Sequence, residues 1–386
     1  MPDSHILTHL GEDRKLYFNA VAPPVIQTSN FAFNSVEEMR AAFVSESDHH
    51  VYTRGNNPTV EILRAKIAAL EKTEDCLVTG SGASAIAGAV MSFVRSGDHV
   101  LCVQKPYSWT YKLLSQYLQS WGISVDFVDA TDIHNIEQKI KPETKILYLE
   151  SPNSLTFEIQ NLRECSELAK KHGIMTIIDN SHCSPMYQNP ADFGIDLIVH
   201  SVTKYINGHS DVVAGVICGS KALIQHIFQT SYMTLGLIIS PHDAAMVLRG
   251  IRTLPLRVAR SNETAMRLAK ELEKHPKIQK VIYPLLPSFP QYELALSQMK
   301  GAGGLLTLVL KTNEKEAVLR FIRAIKCFLM AVSWGGYESL MIPSIVFHDV
   351  PGIPDSPIHW TYVRLYIGLE DFDYLMEDLQ QALDVM

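Results

Sequence analysis

The sequence lacks several features that would point to nucleic acid or membrane partners. Its 386 residues carry 34 Lys and Arg against 41 Asp and Glu, and no basic cluster offsets the net charge of −7, which argues against a nucleic-acid partner. No apolar run reaches the roughly 20 residues of a membrane span, and the N-terminus has no charged and then apolar signal region. These absences predict a cytoplasmic protein with no membrane partner.

The sequence also lacks the common patterns of disulfide and metal sites. Its six cysteines include no Cys-x-x-Cys pair, and its fifteen histidines include no His-x-x-x-His pair with an acidic residue between. We therefore expect no metal site and no disulfide framework. Free thiols are predicted, mostly in apolar or strand-like segments, at Cys76, Cys102, Cys165, Cys183, Cys218 and Cys327.

One lysine stands in an unusual setting. Lys204 closely follows the apolar run 197–199 and is preceded by the hydroxyl residues Ser201 and Thr203. A lysine that is held and partly desolvated beside a bound anion can form a Schiff base, and the hydroxyls could hydrogen-bond a phosphate. The alternative is a solvated lysine after a core strand, because lysine is rarely buried.

An aspartate ends another apolar strand about 25 residues upstream of Lys204. The run 174–178 is continuously apolar, which indicates a parallel strand buried on both faces, and Asp179 follows it. Ligands of open α/β sheets bind beyond the carboxyl ends of the strands. Asp179 could there pair with the protonated ring nitrogen of pyridoxal phosphate, or it could cap a helix or turn.

A third segment combines a strand, a glycine turn and a helix of small residues. Main-chain N–H groups at such a helix start bind phosphate, and the predicted contacts are Ser81, Gly82 and Ala83. The segment also spells Gly-x-Gly-x-x-Ala from Gly80, a dinucleotide fingerprint. That alternative needs an acidic residue after the next strand, where this chain has Lys105. A phosphate cradle is therefore favoured over a nicotinamide site.

Together these motifs resemble the pyridoxal-phosphate-dependent Cys/Met metabolism family, the transsulfuration enzymes. Within that family, the segment from Glu150 to Leu155 and the Ser-Trp-Gly-Gly run are similar to bacterial cystathionine β-lyases. The similarity to the family runs from Tyr52 to the C-terminal helix. The matching residues are Tyr52-Thr-Arg54-Gly-Asn-Asn57-Pro58-Thr59, Ser81-Gly82, Tyr107, Asp179-Asn180, Ser201-x-Thr203-Lys204, Ser333-Trp-Gly-Gly-Tyr-Glu-Ser-Leu340 and Arg364-Leu-Tyr-Ile-Gly368-Leu-Glu370-Asp371.

Helical patterns alternate with short apolar strands from about residue 60 to 230, which predicts a mainly parallel sheet with helices on both faces. The resemblance implies the α/β fold of fold-type I, aspartate aminotransferase-like enzymes, with a smaller C-terminal α/β domain and the cofactor at the domain boundary. The expected parts are an irregular arm at 1–55 that contacts a neighbouring subunit, a cofactor-binding domain at 56–240, and a linker helix with the C-terminal domain at 241–386.

The resemblance also implies roles for residues around the cofactor. Lys204 would bind pyridoxal phosphate and act as the general base, Asp179 would hold the ring nitrogen, and Tyr107 would stack on the ring and assist proton transfer. Tyr52 and Arg54 would reach the phosphate of a neighbouring subunit, so a homo-oligomer, as a dimer or a homotetramer, is expected.

On the substrate side, Arg364 is expected to bind the α-carboxylate of a sulfur amino acid. The alternative is an internal ion pair of Arg364 with Glu370 or Asp371. Ser333 and Trp334 resemble the family segment that lines the substrate site and steadies the free lysine. Asn153, or else Ser154, is expected at the phenolic oxygen of the cofactor.

The activity implied is that of a carbon–sulfur β-lyase, which cleaves cystathionine or a related cysteine S-conjugate to homocysteine (or another thiol), pyruvate and ammonia. Val332 stands where an aromatic residue is expected, and Lys112 stands where an acidic residue would meet the distal ammonium of cystathionine, which favours a shorter or anionic substrate. The alternatives are a cystathionine γ-synthase or γ-lyase, an O-acylhomoserine sulfhydrylase, an NAD(P)-dependent oxidoreductase and a catalytically silent regulator on the same fold.

Overall fold

A computed structural model of the chain describes residues 1–352 and 356–386, and the strands there form two sheets. The strands are β1 (Asp75–Thr79), β2 (His99–Val103), β3 (Ser124–Val128), β4 (Thr144–Glu150), β5 (Met175–Asp179), β6 (Leu197–Ser201), β7 (Gly215–Gly219), β8 (Ile278–Ile282), β9 (Leu305–Leu310), β10 (Leu329–Met330), β11 (Leu340–Pro343) and β12 (Tyr362–Tyr366).

Helices connect and cover these strands. They are α1 (Asp3–Thr8), α2 (Val36–Val44), α3 (Pro58–Glu71), α4 (Gly82–Met91), α5 (Ser108–Lys112), α6 (Ile133–Lys139), α7 (Leu162–Lys171), α8 (Ser184–Tyr187), α9 (Lys221–Ile227), α10 (Met233–Leu235), α11 (Pro241–Ile251), α12 (Leu254–Leu272), α13 (Tyr292–Gln298), α14 (Lys315–Ala324) and α15 (Phe372–Asp384). Short 3-10 segments occupy Arg14–Tyr17, Glu46–Asp48, Leu118–Trp121, Pro190–Phe193 and Ser344–Phe347, and π-helical segments occupy Leu113–Tyr117 and Phe228–Tyr232.

The larger sheet has seven strands in the order β1-β7-β6-β5-β4-β2-β3. The pairs between β3, β2, β4, β5 and β6 are parallel, whereas β7 runs antiparallel to both β6 and β1. The predicted mainly parallel sheet is thus confirmed. Every residue of β2 and β7 is buried, in agreement with the continuous apolar runs expected of strands covered on both faces.

Local sequence signals explain the helices that flank the site. The Asn57 side chain accepts a hydrogen bond from the Thr59 N–H and Pro58 occupies the first turn, so α3 begins at Pro58. It ends where Lys72 adopts a left-handed conformation. The helix therefore places Glu71, its last residue, in the buried interior.

The second sheet has the order β10-β11-β12-β9-β8 and is mostly antiparallel. Its strand β9 is followed by helix α14, in agreement with the smaller C-terminal α/β domain that the resemblance implies. The domain limits 1–55, 56–240 and 241–386 stay predictions. Residues 353–355, within the last of these ranges, lie outside the described residues.

The N-terminal segment is less irregular than the sequence predicts. Helix α1 buries Ile6 and Leu7, and the Lys66 amine on α3 donates to the carbonyl oxygens of both residues, at 2.9 and 3.1 Å. The sequence did not reveal this helix because its six residues are too few for a clear period, and because the buried lysine that anchors it lies about 60 positions away.

No helix within 1–352 and 356–386 is long and apolar enough to cross a membrane. Nor does the described part of the chain contain three or more His, Cys, Asp or Glu side chains grouped to hold a metal ion. The cytoplasmic location stays a prediction from the sequence.

The buried carboxylate of Glu12 gives a test of how this segment is held. It lies 3.1 Å from both the Lys66 amine and the Arg252 guanidinium, and 2.9 Å from Arg14. Glu12→Gln should lower the free energy of unfolding by about 3 kcal/mol or more, because the buried Lys66 ammonium loses its counter-ion. Urea unfolding measures this loss. The exposed pair of Glu271 and Lys274 supplies a control, since Glu271→Gln should cost less than about 1 kcal/mol.

Candidate active site

Three polar residues end neighbouring parallel strands at one edge of the large sheet. Glu150 ends β4, Asp179 ends β5 and Ser201 ends β6. Glu150 and Asp179 are direct partners in the register of their strands, and Asp179 pairs with Val199 of β6. The apolar strands thus bring two carboxylates and a hydroxyl to the edge where α/β sheets bind ligands.

Asp179 is buried and keeps the partners that an anion needs. Its carboxylate accepts a hydrogen bond of 2.9 Å from the Ser181 N–H. Burial raises the pKa of Asp179, but the hydrogen bonds of Ser181 and the nearby charges of His200 and Lys204 act in the opposite direction. The result is a desolvated carboxylate at the strand end that can pair with a protonated ring nitrogen.

Lys204 lies just beyond β6, in a partly desolvated position. Its amine donates to the Ser333 hydroxyl at 2.6 Å and lies 5.7 Å from the centre of the Trp334 ring. Burial, and then the positive charge of Arg364, lower the pKa of Lys204 to about 8, against the opposing effect of Asp179. A sizeable fraction of neutral amine is therefore present near that pH, as a nucleophile or a proton acceptor requires.

The residues predicted to form the phosphate cradle lie at the start of α4. The Ser81 side chain accepts from the Ser84 N–H at 3.0 Å and closes a capping box, while the N–H groups of Gly82 and Ala83 bond to no other described residue. A Cβ atom at Gly82 would lie 2.8 Å from the Ser201 Cβ. Glycine thus lets the helix start approach the end of β6, so free N–H groups and the Ser201 side chain come together.

Thr203 stabilises the turn between Ser201 and Lys204. Its hydroxyl accepts a hydrogen bond from the Ala214 N–H at 3.0 Å and donates to the Ala214 carbonyl at 3.2 Å. The Lys204 N–H donates to the Ser201 carbonyl. Both predicted hydroxyl residues therefore lie beside the lysine.

Tyr107 precedes α5 and faces the same edge of the sheet. Its N–H donates to the Glu150 carboxylate at 2.6 Å, and its side chain is 40% exposed. Burial, with smaller effects of the Asp179 and Glu150 charges, raises the pKa of the Tyr107 hydroxyl. The hydroxyl thus keeps its proton at neutral pH, and the ring stays accessible for stacking.

Glu150 is a site residue that the sequence reasoning missed. Burial and the adjacent charge of Asp179 raise the pKa of Glu150 to about 8, so its carboxyl group is mostly protonated at neutral pH. A signal was present, because Glu150 ends the apolar run 146–149 in the same way as Asp179 ends its own strand. Two carboxyl groups side by side avoid repulsion when only one of them is charged.

Arg364 on β12 brings a buried positive charge to the site. Its guanidinium donates to the carbonyl oxygens of Ser154 at 3.0 Å and of Ser333 at 3.2 Å. Burial lowers the pKa of Arg364 to about 10. No ion pair within 4.0 Å joins it to another described residue, so its charge remains available to a substrate carboxylate.

The alternative of an internal ion pair for Arg364 does not hold. Glu370 accepts hydrogen bonds from the N–H and hydroxyl of Ser339, both at 2.8 Å. Asp371 pairs with Arg260 at 2.8 Å. Both acidic residues predicted as possible partners are thus engaged elsewhere.

Ser333 joins the lysine to the arginine. Its hydroxyl accepts from Lys204 and its carbonyl accepts from Arg364. Its φ of +85° is in the left-handed region, which is strained for a serine. Trp334, which follows, is buried with its ring edge-on to Tyr205 at 5.4 Å between centres. Strain and packing together hold the Ser333 oxygen atoms toward the two cations.

Three of the residues predicted to contact the cofactor make other contacts in the structure. Tyr52 and Arg54 are exposed, with the guanidinium 5.5 Å from the centre of the Tyr52 ring, and among the described residues neither hydrogen-bonds to the cradle or to Lys204. The Asn153 Oδ1 accepts from the N–H groups of the three residues 155–157, so its amide is used within its own loop. The roles assigned to these three residues stay predictions.

The residues present fit pyridoxal phosphate. The close approach at Gly82 leaves free N–H groups for a phosphate, Asp179 suits the ring nitrogen, and the Lys204 amine is desolvated for covalent attachment. Together with the large mixed sheet and the smaller sheet domain, the site defines a fold-type I enzyme that depends on pyridoxal phosphate.

Comparison with known proteins identifies the family. The chain belongs to the Cys/Met metabolism PLP-dependent enzyme family, whose sequence profile matches residues 4–384. It is 39% identical over 381 residues to an L-methionine gamma-lyase of Pseudomonas putida, covering 97% of this chain and 95% of the relative. It is 34% identical over 386 residues to the human cystathionine gamma-lyase, covering 97% and 92%. The family predicted from the motifs is confirmed, whereas these relatives do not support the finer resemblance to cystathionine β-lyases.

The close approach of α4 to β6 gives a first test of the cofactor site. Gly82→Ala should weaken binding of pyridoxal phosphate at least about tenfold, because its Cβ would push the helix start away from Ser201. Fluorescence titration of the apoenzyme measures the dissociation constant. The control is Gly173→Ala, whose added Cβ would meet no atom within 4 Å but whose φ is +66°. The strained backbone should lower the free energy of unfolding of this variant, while its affinity for the cofactor should be unchanged. Equal affinities in both variants would contradict the cradle.

Lys204 and Arg364 give a second test. Arg364→Leu removes a charge that lowers the pKa of Lys204, so this pKa should rise and less neutral amine should be present at any given pH. For each unit by which the pKa of Lys204 rises, the fraction of neutral amine at a pH below that pKa falls about tenfold. We expect the pH profile for the rate of cofactor capture by the apoenzyme to move to alkaline pH. The control is Arg260→Leu, for which the wild-type profile is expected, and an unchanged profile in Arg364→Leu would refute the coupling.

Proposed function

We propose that this enzyme is a carbon–sulfur lyase that eliminates a thiol from Cγ of a sulfur amino acid. Two curated γ-lyases match nearly the whole chain, at 39% and 34% identity. The site also keeps a desolvated lysine, a buried carboxylate that would suit the ring nitrogen of the cofactor and an arginine without an acidic partner. The near-complete match to γ-lyases is the observation that favours elimination from Cγ over elimination from Cβ.

This proposal replaces the β-elimination that the sequence favoured. That expectation depended on the segment from Glu150 to Leu155 and on the Ser-Trp-Gly-Gly run, whose Trp334 is buried against Tyr205 and lies below the Lys204 amine. A buried ring in this position steadies the lysine in either reaction, so its identity does not report which carbon loses the thiol. The relatives support the γ-lyase alternative instead, and they give no support to a nicotinamide enzyme.

Bound pyridoxal phosphate supplies an electron sink for the negative charge that develops when the substrate loses its Cα proton. The neutral Lys204 amine accepts this proton, and Ser333 orients the amine. Loss of a thiol from Cγ also requires removal of a proton from Cβ, which β-elimination does not. The Lys204 amine would perform both transfers, while the protonated Tyr107 hydroxyl would donate to the departing sulfur.

Arg364 fixes the orientation of the substrate. A bidentate contact of its guanidinium with the α-carboxylate would hold the substrate beside Lys204. Since Ser333 contacts both cations, binding of the carboxylate and positioning of the base are linked. The products of γ-elimination from methionine would be methanethiol, 2-oxobutyrate and ammonia, with one water consumed.

The residues near the distal end favour an uncharged thioether. Val332 is 77% exposed next to Ser333, and the Lys112 amine lies on α5, 4.5 Å from the centre of the Trp109 ring. An apolar and a cationic side chain offer no counter-ion to the second ammonium group of cystathionine. A substrate such as methionine, which ends in a methyl group, avoids this mismatch.

A homo-oligomer is part of the proposal. A groove of about 630 Å³ follows the start of α4 and the aromatic face of α5, with Ala83, Trp109 and Tyr117 in its lining. It is continuous with the phosphate cradle through Ala83. A second copy of the chain seated here would bury the exposed rings and bring its own Tyr52 and Arg54 within reach of the phosphate.

The choice of carbon can be tested with three substrates. The holoenzyme is incubated with L-methionine, cystathionine and S-methylcysteine, and the keto acid from each is identified by mass spectrometry. We expect 2-oxobutyrate from methionine, with methanethiol, because γ-elimination retains the four-carbon chain. Lys204→Ala should give no keto acid. Pyruvate from cystathionine together with inert methionine would instead establish the β-lyase predicted from the sequence.

The distal charge gives a second test of the substrate. Lys112→Glu should raise kcat/KM for cystathionine relative to that for methionine by about tenfold, because the new carboxylate can pair with the distal ammonium. Lys112→Gln serves as the matched variant that removes the positive charge without adding a negative one. An unchanged ratio in both variants would place Lys112 outside the substrate site.

A further inference from the structure

The loop that follows β4 is organised around one buried side chain. Asn153 is 4% exposed, and its Oδ1 accepts hydrogen bonds from the N–H groups of residues 155, 156 and 157 at 3.1, 2.9 and 3.0 Å. The Asn153 N–H in turn donates to the Glu158 carbonyl at 3.2 Å, which closes the loop. A side chain that binds three successive main-chain donors fixes the path of the chain around it.

The partners of the Asn153 amide also fix its orientation. Its oxygen faces donors, whereas Nδ2 donates to the Glu158 carboxylate at 2.8 Å and to the Thr156 hydroxyl at 3.1 Å. The acceptor and both N–H donors of the amide are therefore used within the loop. Aspartate would supply the acceptor but no donor, so the loop depends on the complete amide group.

The same loop carries two carbonyl oxygens to the second sheet. The Ser154 carbonyl accepts from the Arg364 guanidinium at 3.0 Å, and the Leu155 carbonyl accepts from the Thr307 hydroxyl at 2.8 Å. Arg364 on β12 and Thr307 on β9 are direct partners in an antiparallel register, so their side chains lie on one face of the sheet. The loop is thus attached to that face at two neighbouring points, both next to Asn153 in the chain.

The attachment determines how Arg364 is presented to a substrate. The carbonyls of Ser154 and Ser333 take two of its five N–H groups, and the others hydrogen-bond to no described residue. Bidentate binding of a carboxylate requires a guanidinium whose plane is fixed. Two anchors on separate segments of the chain fix this plane, whereas the guanidinium would turn about a single one.

The far end of the loop packs toward the same site. Phe157 is buried with a φ of +58°, a left-handed conformation that is strained for phenylalanine. Its N–H is one of those bound by Asn153. Its ring lies edge-on to His182 at 5.4 Å between centres, and the His182 ring lies 6.2 Å from that of Trp334. Asn153 therefore also retains a strained residue that supports the packing around Trp334.

We propose that Asn153 is a positioning residue for the substrate, because it holds the loop 153–158 so that the Ser154 carbonyl anchors Arg364 for the α-carboxylate. In place of the contact with the phenolic oxygen of the cofactor that the sequence predicts, Asn153 acts through this loop. The inference rests on the role proposed above for Arg364, and it is independent of whether Cγ or Cβ loses the thiol.

The test reverses the polarity of one hydrogen bond. Asn153→Asp sets a carboxylate oxygen against Glu158 and should displace the loop. The double variant Asn153→Asp with Glu158→Gln restores the bond, because the new amide can donate to the new carboxylate. Isothermal titration calorimetry of the holoenzyme measures binding of 4-(methylthio)butanoate, a methionine analogue without the amino group. We expect its dissociation constant to rise about tenfold in Asn153→Asp and to return to within about threefold of wild type in the double variant.

Turnover gives a second measurement that a purely structural role would not move. Arg364 binds the carboxylate in the ground state and in the transition state alike. KM for the sulfur amino acid that the enzyme cleaves should therefore rise about tenfold in Asn153→Asp, with kcat changed less than about twofold.

Two controls separate positioning from stability. Glu158→Gln alone should keep wild-type affinity, because its amide oxygen can still accept from Asn153 and only the partly exposed pair with Lys105 is lost. Asn189 is a second buried asparagine, whose Nδ2 donates to the carbonyls of Leu70 and Pro185 at 2.9 and 3.1 Å. Asn189→Asp should lower thermal stability without changing the affinity for the analogue.

A second variant decides the question if Asn153→Asp does not fold. Thr307→Val keeps the shape of the side chain but removes the other attachment of the loop, at the Leu155 carbonyl. The dissociation constant of the analogue should then rise about threefold, since the Ser154 anchor is retained but less firmly held. Wild-type affinity in this variant would count against the proposal.

The outcomes distinguish this inference from the function on which it rests. Wild-type affinity in a folded Asn153→Asp variant, or a loss that the double variant does not restore, would overturn the positioning role. Arg364→Leu provides the reference, because wild-type binding of the analogue in that variant would remove the proposed role of Arg364 and the inference with it. Weak binding in Arg364→Leu beside wild-type binding in Asn153→Asp would leave Arg364 as the carboxylate site and reject Asn153 alone.

Discussion

The structure depends on keeping one carboxylate charged in a desolvated place. Asp179 ends a strand covered on both faces, where burial favours the neutral acid, yet the role predicted for it beside the cofactor needs the anion. The Ser181 N–H, the Lys204 amine and the His200 ring each offset part of the cost of burial. The neighbouring Glu150 retains its proton and therefore adds no second negative charge beside Asp179. The surroundings of the sheet edge thus allow a single negative charge.

Two cations are held together on the substrate side of this edge. Lys204 and Arg364 repel each other, and this repulsion adds to burial in lowering the pKa of Lys204, so more of its amine is neutral and able to accept a proton near neutral pH. Ser333 keeps them in place through its hydroxyl and its carbonyl, at the expense of a strained backbone. A substrate carboxylate would relieve the repulsion, which links binding to the state of the base.

Much of this site could be predicted from the sequence because its residues follow recognisable strand ends. Asp179 and Lys204 each come after an apolar run, and the glycine turn at Gly82 precedes a helix of small residues. The same logic applied to Glu150 would have found it. The choice of the cleaved carbon did not follow, because Trp334 packs beneath the lysine and carries no information on the substrate pose.

By itself the sequence determined the alternation of strands and helices and the family, and it predicted the groups for the cofactor, because these depend on local patterns of burial and turn chemistry. Only the tertiary structure decided which charges meet. Arg364 is free because Ser339 and Arg260 engage Glu370 and Asp371, and Glu71 finds His200 across 129 positions of chain. Such pairs follow from strand register and helix packing, which bring together residues that no local pattern connects.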